Sequence, residues 1–285
     1  MTILYSIGDT HEAAIHSHRD RGRVFQSAAV RAGRQAPSAT VAPAAGSGLD
    51  HIPIAVANLE QAADRYKALG FALKPGRPHD NGIRNQHVKF TDGTELELIT
   101  APEARDALTH KYRRHIAAGD GPAFLALYAP GRPRAADNAV PDHIFFGPRN
   151  SSPTDRPEHF AHPNGAESLI AVWLAGDDLT AERQLLTGMG ARIAEEDVRV
   201  PDALKAPVAR LSEGAVVLLP GRRQLIPGRP IVGATLRVKS VAAAQAVIAA
   251  GPGGALTVVS GRGYSSIFLP PDLSHGLWLE LRELR

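Results

Sequence analysis

From Leu49 onward the hydrophobic and polar positions change period in an ordered way. Leu49–Asp–His–Ile–Pro–Ile–Ala–Val–Ala57 predicts a strand, with Ile52, Ile54 and Val56 on one face and His51 and Ala55 on the other. Asn58 stands where a helix N-cap belongs, with Gln61 three residues on. Leu59, Ala62, Ala63, Tyr66 and Leu69 then recur at helical spacing, and Gly70 supplies the stop. Three strands are predicted next, over 71–74, 85–90 and 94–100, the last entered through the Asp92–Gly93 turn. The unit is β-α-β-β-β.

The same order recurs. A strand over 169–175, a helix over 179–189 stopped by Gly190, and strands over 191–194, 208–211 and 215–219 make one copy. Another runs through 231–238, a helix over 241–250 stopped by Gly251, and strands over 256–260, 265–269 and 277–282. Between the first copy and these lies a damaged one. It keeps strands over 123–128 and 143–146, but 130–141 is too rich in proline, glycine and arginine to be its helix. The pattern predicts an α+β protein of four modules, two over 48–167 and two over 168–285. Residues 1–47 show no sustained period, carry five arginines against three acids, and end in a Pro/Ala/Gly/Ser run, so a flexible extension is expected there.

Composition narrows the function. The chain has 285 residues, a formal charge of +3 and no cysteine. That excludes a disulfide scaffold, a cysteine-ligated zinc and a thiol nucleophile. No apolar run is long enough for a spanning helix. Lys and Arg are scattered rather than striped, against a nucleic-acid surface. A cytoplasmic protein acting on a small molecule is expected, with neither nucleic acid nor membrane as partner and a homodimer left open.

Three segments carry a family resemblance: Leu49–Asp50–His51–Ile52, the helix from Asn58 to Gly70, and Thr94–Glu95–Leu96–Glu97–Leu98–Ile99. Together they resemble the vicinal oxygen chelate superfamily, and within it the glyoxalase-like domain family. The resemblance is good across 48–102, continues through Glu158–His–Phe–Ala–His–Pro–Asn–Gly–Ala166, and weakens beyond 168. It implies paired βαβββ modules curling into half-barrels around a divalent metal, with ligands from the first and fourth strands. His51 and Glu97 hold those positions, a set suited to Fe, Mn, Zn or Ni.

Two ligands are too few, and a third is sought among His87, His143, His159 and His162. His162 is preferred to His143 and His87, since it precedes the Pro163–Asn–Gly165 turn signal in the family-like return segment and approaches from the facing module. Glu97 or Glu95 is the expected proton shuttle. Asn85, His87, His79 and Arg84 are the expected substrate contacts, although Ile83–Arg84 interrupts the small pair usual in the family. Aligning the modules on their helix-stop glycines puts Ala171 and Gly233 where His51 stands, and Val217 and Glu280 where Glu97 stands. A metal site therefore belongs to the N-terminal pair. The resemblance implies a metal-dependent lyase, isomerase or dioxygenase whose metal chelates two adjacent substrate oxygens. A metal-free protein that binds or sequesters a small molecule is the other reading.

Overall fold

The structure is a computed structural model and describes residues 46–131, 140–251 and 253–285. The expected extension lies outside the described residues except for Gly46 and Ser47, as does most of the 130–141 segment. Ser47 is already part of the folded body: it is buried, and its hydroxyl donates to the Met189 carbonyl at 3.1 Å.

The first module forms as the pattern predicts. β1 (Gly48–Ala55) leads into α1 (Leu59–Ala68), capped by the Asn58 side chain, which accepts from the Gln61 N–H. Gly70 turns the chain at φ +84. β2 (Lys74–Pro75), β3 (Arg84–Lys89) and β4 (Glu95–Thr100) follow. The sequence left the next stretch unassigned, but it holds a helix, α2 (Ala107–Ala117), whose Asp106 cap exchanges hydrogen bonds with Thr109. β5 (Gly121–Pro122), β6 (Leu125–Tyr128) and β7 (Ile144–Gly147) complete the first sheet. Its order is β2-β3-β4-β1-β6-β7, with β5 also paired to β1. β1 runs parallel to β4 and β6 parallel to β7, so the damaged module retains its first and last strands.

The C-terminal half builds a second sheet. It contains β8 (Ala166–Gly176), α3 (Thr180–Gly188), β9 (Arg192–Arg199), β10 (Ala203–Arg210), β11 (Ala215–Pro220), β12 (Ile231–Val238), α4 (Val241–Ala249), β13 (Val259–Gly261), β14 (Tyr264–Leu269) and β15 (Trp278–Leu284). The order β13-β14-β15-β12-β8-β11-β10-β9 repeats the first sheet's plan around an antiparallel central pair.

Period-two alternation sets what each face does. Ile52, Ile54, Leu96, Leu98, Val88 and Phe90 face outward onto α1, in one continuous core that also takes in α3, α4 and the outer face of the second sheet. Each such side chain, fully buried, contributes about 1.5–3 kcal/mol. The alternate residues face the hollow of the sheet. Ala55, Ile83, Ile99, Phe124 and Tyr112 cluster there, which is how α2 comes to cover one end of the hollow. The other end is polar. No helix among the described residues is long and apolar enough to cross a membrane.

Candidate functional site

Strand register assembles the polar end. His51 pairs with Glu95 and Pro53 with Glu97 across β1 and β4, while His87 pairs with Glu97 and Lys89 with Glu95 across β3 and β4. His51, Glu95, Glu97, Asn85, His87 and Lys89 therefore share the inner face. Against β6 the register slips between Leu49 and His51, and the extra residue in that bulge is Asp50.

Asp50 is 1% exposed and fully engaged. Its Oδ1 accepts from His51 Nδ1 at 2.6 Å and its Oδ2 from the Arg149 N–H at 2.7 Å. Gly147 leaves the room this needs, because a β-carbon there would collide with the Asp50 carboxylate. With Nδ1 fixed, His51 turns Nε2 toward Glu97 Oε2, 3.7 Å away. Glu97 is held in turn by Asn85, whose Nδ2 donates to Oε1 at 2.6 Å. Burial disfavours the His51 cation, but the Asp50 hydrogen bond and the charges of Asp50, Glu95 and Glu97 outweigh it and raise the imidazole to about 9. His51 is thus an imidazolium at neutral pH, set between two carboxylates. Phe145 packs edge-on against its ring at 5.4 Å.

Glu95 is more deeply buried than Glu97. It accepts from His87 Nδ1 at 3.2 Å and from Asn150 Nδ2 at 3.3 Å. Burial lowers His87, and the hydrogen bond and charge of Glu95, with that of Glu97, more than reverse this. At the rim, Lys74 and Lys89 both bind Asp155 at 2.7 Å. Burial of Asp155 favours its neutral form, yet the two ammonium groups hold its carboxyl down at about 2.

Not every residue singled out in the sequence joins this cluster. Arg84 points the other way and pairs with Glu60 of α1, so it does not reach the hollow. His79 lies beside Asn85, and its Nε2 and Asn85 Oδ1 are both buried without a well-formed hydrogen bond among the described residues.

His162 lies on the opposite side of the sheet, edge-on to Phe71 and Phe90. Its Nδ1 accepts from the Ala72 N–H at 3.0 Å and its Nε2 donates to the Lys89 carbonyl at 2.9 Å, so neither nitrogen is available to a ligand. The expected turn is present, with Gly165 N–H bonded to the His162 carbonyl, but it serves the core. His143 lies 3.4 Å from Glu182 of α3, away from Glu97.

A resident metal needs about three protein ligands around an open position. Here His51 and Glu97 face each other, Asp50 is taken by His51 and Arg149, and Glu95 is taken by His87 and Asn150. Among the described residues no three histidine, aspartate or glutamate side chains converge to hold one ion. The donor set does not fit the expected three-ligand centre.

Sequence reasoning missed Asp50, Lys74, Lys89, Asn150 and Asp155 as parts of the cluster. Asp50 carried a signal in its place beside His51. Asp155 carried none, since a loop brings it to a strand more than sixty residues earlier.

The second sheet reproduces the register without the chemistry. Ala171 pairs with Ala215 and Trp173 with Val217, while Gly233 pairs with Trp278 and Thr235 with Glu280. These place Ala171 and Gly233 at the His51 position, and Val217 and Glu280 at the Glu97 position, as the helix-stop alignment expected. Glu280 is wholly buried, accepting from Thr235, Ser266 and Arg282. The Trp173 ring lies over Gly233, where a β-carbon would strike it.

Comparison with known proteins agrees with this architecture. Residues 49–128 match a family described as a glyoxalase-like domain. A search of the curated proteins gave no match. Among solved structures, a xylose isomerase-like TIM barrel/4-hydroxyphenylpyruvate dioxygenase fusion protein is similar, with TM-score 0.61 and 12% identity over 86% of this chain. This chain spans only 50% of that protein. A triple mutant of 4-hydroxymandelate synthase from Streptomyces coelicolor is similar with TM-score 0.60 and 14% identity, covering 85% of this chain and 93% of that one. Homoprotocatechuate 2,3-dioxygenase from Arthrobacter globiformis follows with TM-score 0.51 and 12% identity, covering 87% and 82%. At these identities the likeness speaks for the fold.

Proposed function

We propose, for a chain whose residues 49–128 are a glyoxalase-like domain within the vicinal oxygen chelate fold, that the inner face of its first sheet is the site of an enzyme moving a proton on a small carbonyl compound. The observation that carries this is the line Asp50–His51–Glu97. Glu97 is a partly exposed carboxylate placed to take a proton from carbon beside a carbonyl. His51, charged and held by Asp50, is placed to stabilise the negative oxygen that develops when that proton leaves. Asn85 holds the far oxygen of Glu97, so the near one is directed to substrate. Glu95 and His87 neutralise each other behind this pair, and Asp155 ties down the buried Lys74 and Lys89. The residues supply acid, base and oxyanion stabilisation from the chain itself, and no step is assigned to a metal.

The test is exchange of substrate α-protons with deuterated water, followed by proton NMR over a panel of small 2-oxo acids and hydroxyketones. Exchange should persist in chelator and fall roughly 10²–10⁴-fold in Glu97→Gln and in His51→Gln. Exchange that appears only after a divalent metal is added would contradict the proposal. The second reading, metal-free sequestration, is favoured by the aromatic wall of Phe124 and Phe145 beside His51. It predicts saturable binding of a panel compound without exchange.

A further inference from the structure

A cavity of about 200 Å³ lies between the last turns of α2, the β5–β6 segment and the residues just before β12. It is separate from the His51 cluster. The Phe124 ring on its wall packs against Phe145, at 6.3 Å between centroids, and Phe145 in turn packs against His51. Lys111 and Arg114 of α2 and Arg229 bring three cations to the lining, against the single carboxylate of Asp142.

Arg229 is only 6% exposed. Its Nη2 donates to the His115 carbonyl and so caps the end of α2. Among the described residues its Nη1 is buried with no hydrogen-bond partner. The neighbouring carboxylate, Asp120, is committed elsewhere, accepting from His275 Nδ1 and from the Ala57 N–H, both at 2.8 Å. A buried guanidinium N–H left without an acceptor is costly, and a native structure tolerates few such groups. An anion in the cavity would offset the surplus charge that Lys111, Arg114 and Arg229 bring to its wall. His115 registers that surplus: burial, then Arg229, Arg114 and Lys111, push its imidazole down to about 4.

Apart from these charged groups and the imidazoles of His115 and His143, the lining is apolar, with Phe124 as the largest surface. The volume exceeds the ~150 Å³ of a cavity known to admit benzene. We propose that this cavity is a second binding site, for a small carboxylate whose charged end meets Arg229 and whose apolar body, up to one aromatic ring, lies on Phe124.

The experiment uses the full chain, with benzoate as probe and acetate and inorganic phosphate as comparisons, followed by calorimetry and by histidine NMR. Benzoate should bind saturably and raise the His115 midpoint from about 4 toward its ordinary value, leaving His51 signals in place. Acetate and phosphate should bind at least tenfold more weakly, since they cannot use the apolar wall. Arg229→Gln should weaken benzoate about tenfold or more through loss of a charge-assisted contact. Because Arg229 also caps α2, the exposed pair Lys111→Ser/Arg114→Ser provides a variant that leaves the fold intact and should weaken binding several-fold. Absence of benzoate binding, equal binding of all three anions, a response at His51 in place of His115, or unchanged affinity in the Lys111/Arg114 variant would each overturn the proposal.

Discussion

A single inserted residue decides how His51 behaves. In unbroken alternation Asp50 would face the outer core, where an unpaired carboxylate is very costly. The bulge against β6 turns it to the His51 ring instead. The folded midpoint of His51, about 9, lies above its ordinary 6.5, so its contribution to stability is complete below about pH 6.5 and is lost as pH rises through 9. That contribution is on the order of 3 kcal/mol at most. Denaturant midpoints should therefore fall between pH 6.5 and 9.5, and fall much less in Asp50→Asn, where the raised midpoint is absent. His162 gives a contrasting case. His162→Leu strands a buried N–H and a buried carbonyl, so it should cost about 2–5 kcal/mol in chemical denaturation while leaving proton exchange unchanged.

At the scale of elements, what could be foreseen is what alternation and caps encode. Ile52, Ile54 and Val56 against His51 and Ala55 fixed the faces of β1, and the same parity on β3 put Asn85 and His87 inward. That parity also requires Arg84 to point outward, where it meets Glu60, so its place off the inner face was legible in a pattern already in the sequence. Helix α2 was missed although Asp106 is a cap and Leu108, Tyr112 and Ile116 fall four apart. It lies outside the repeating unit, and cationic residues dilute its stripe. Since α2 closes the apolar end of the hollow, its cap matters: Asp106→Ala should lower stability by about 1 kcal/mol. Gly147→Ala should do more, displacing Asp50 and returning the His51 midpoint toward 6.5, as histidine NMR would show.

Across the whole molecule, two sheets of one plan have separate tasks. The first keeps its inner face polar at one end, while the second fills the matching position with Trp173 over Gly233 and locks Glu280 among Thr235, Ser266 and Arg282. The helix-stop alignment made this division legible, because register follows from module length. That His162 serves the core and not the His51 cluster was not legible, because the packing of its return segment against the first sheet depends on loops. Trp173→Ala should cost about 3–5 kcal/mol and leave the chemistry at His51 intact. The central claim, that His51 is a carboxylate-held acid facing Glu97 rather than a metal ligand, is tested most directly by nitrogen-15 NMR of its ring across pH, with and without one equivalent of zinc. The account predicts an imidazolium with a midpoint of about 9 that zinc does not move at neutral pH. A midpoint near 6.5, or stoichiometric zinc on the His51 Nε2, would contradict it.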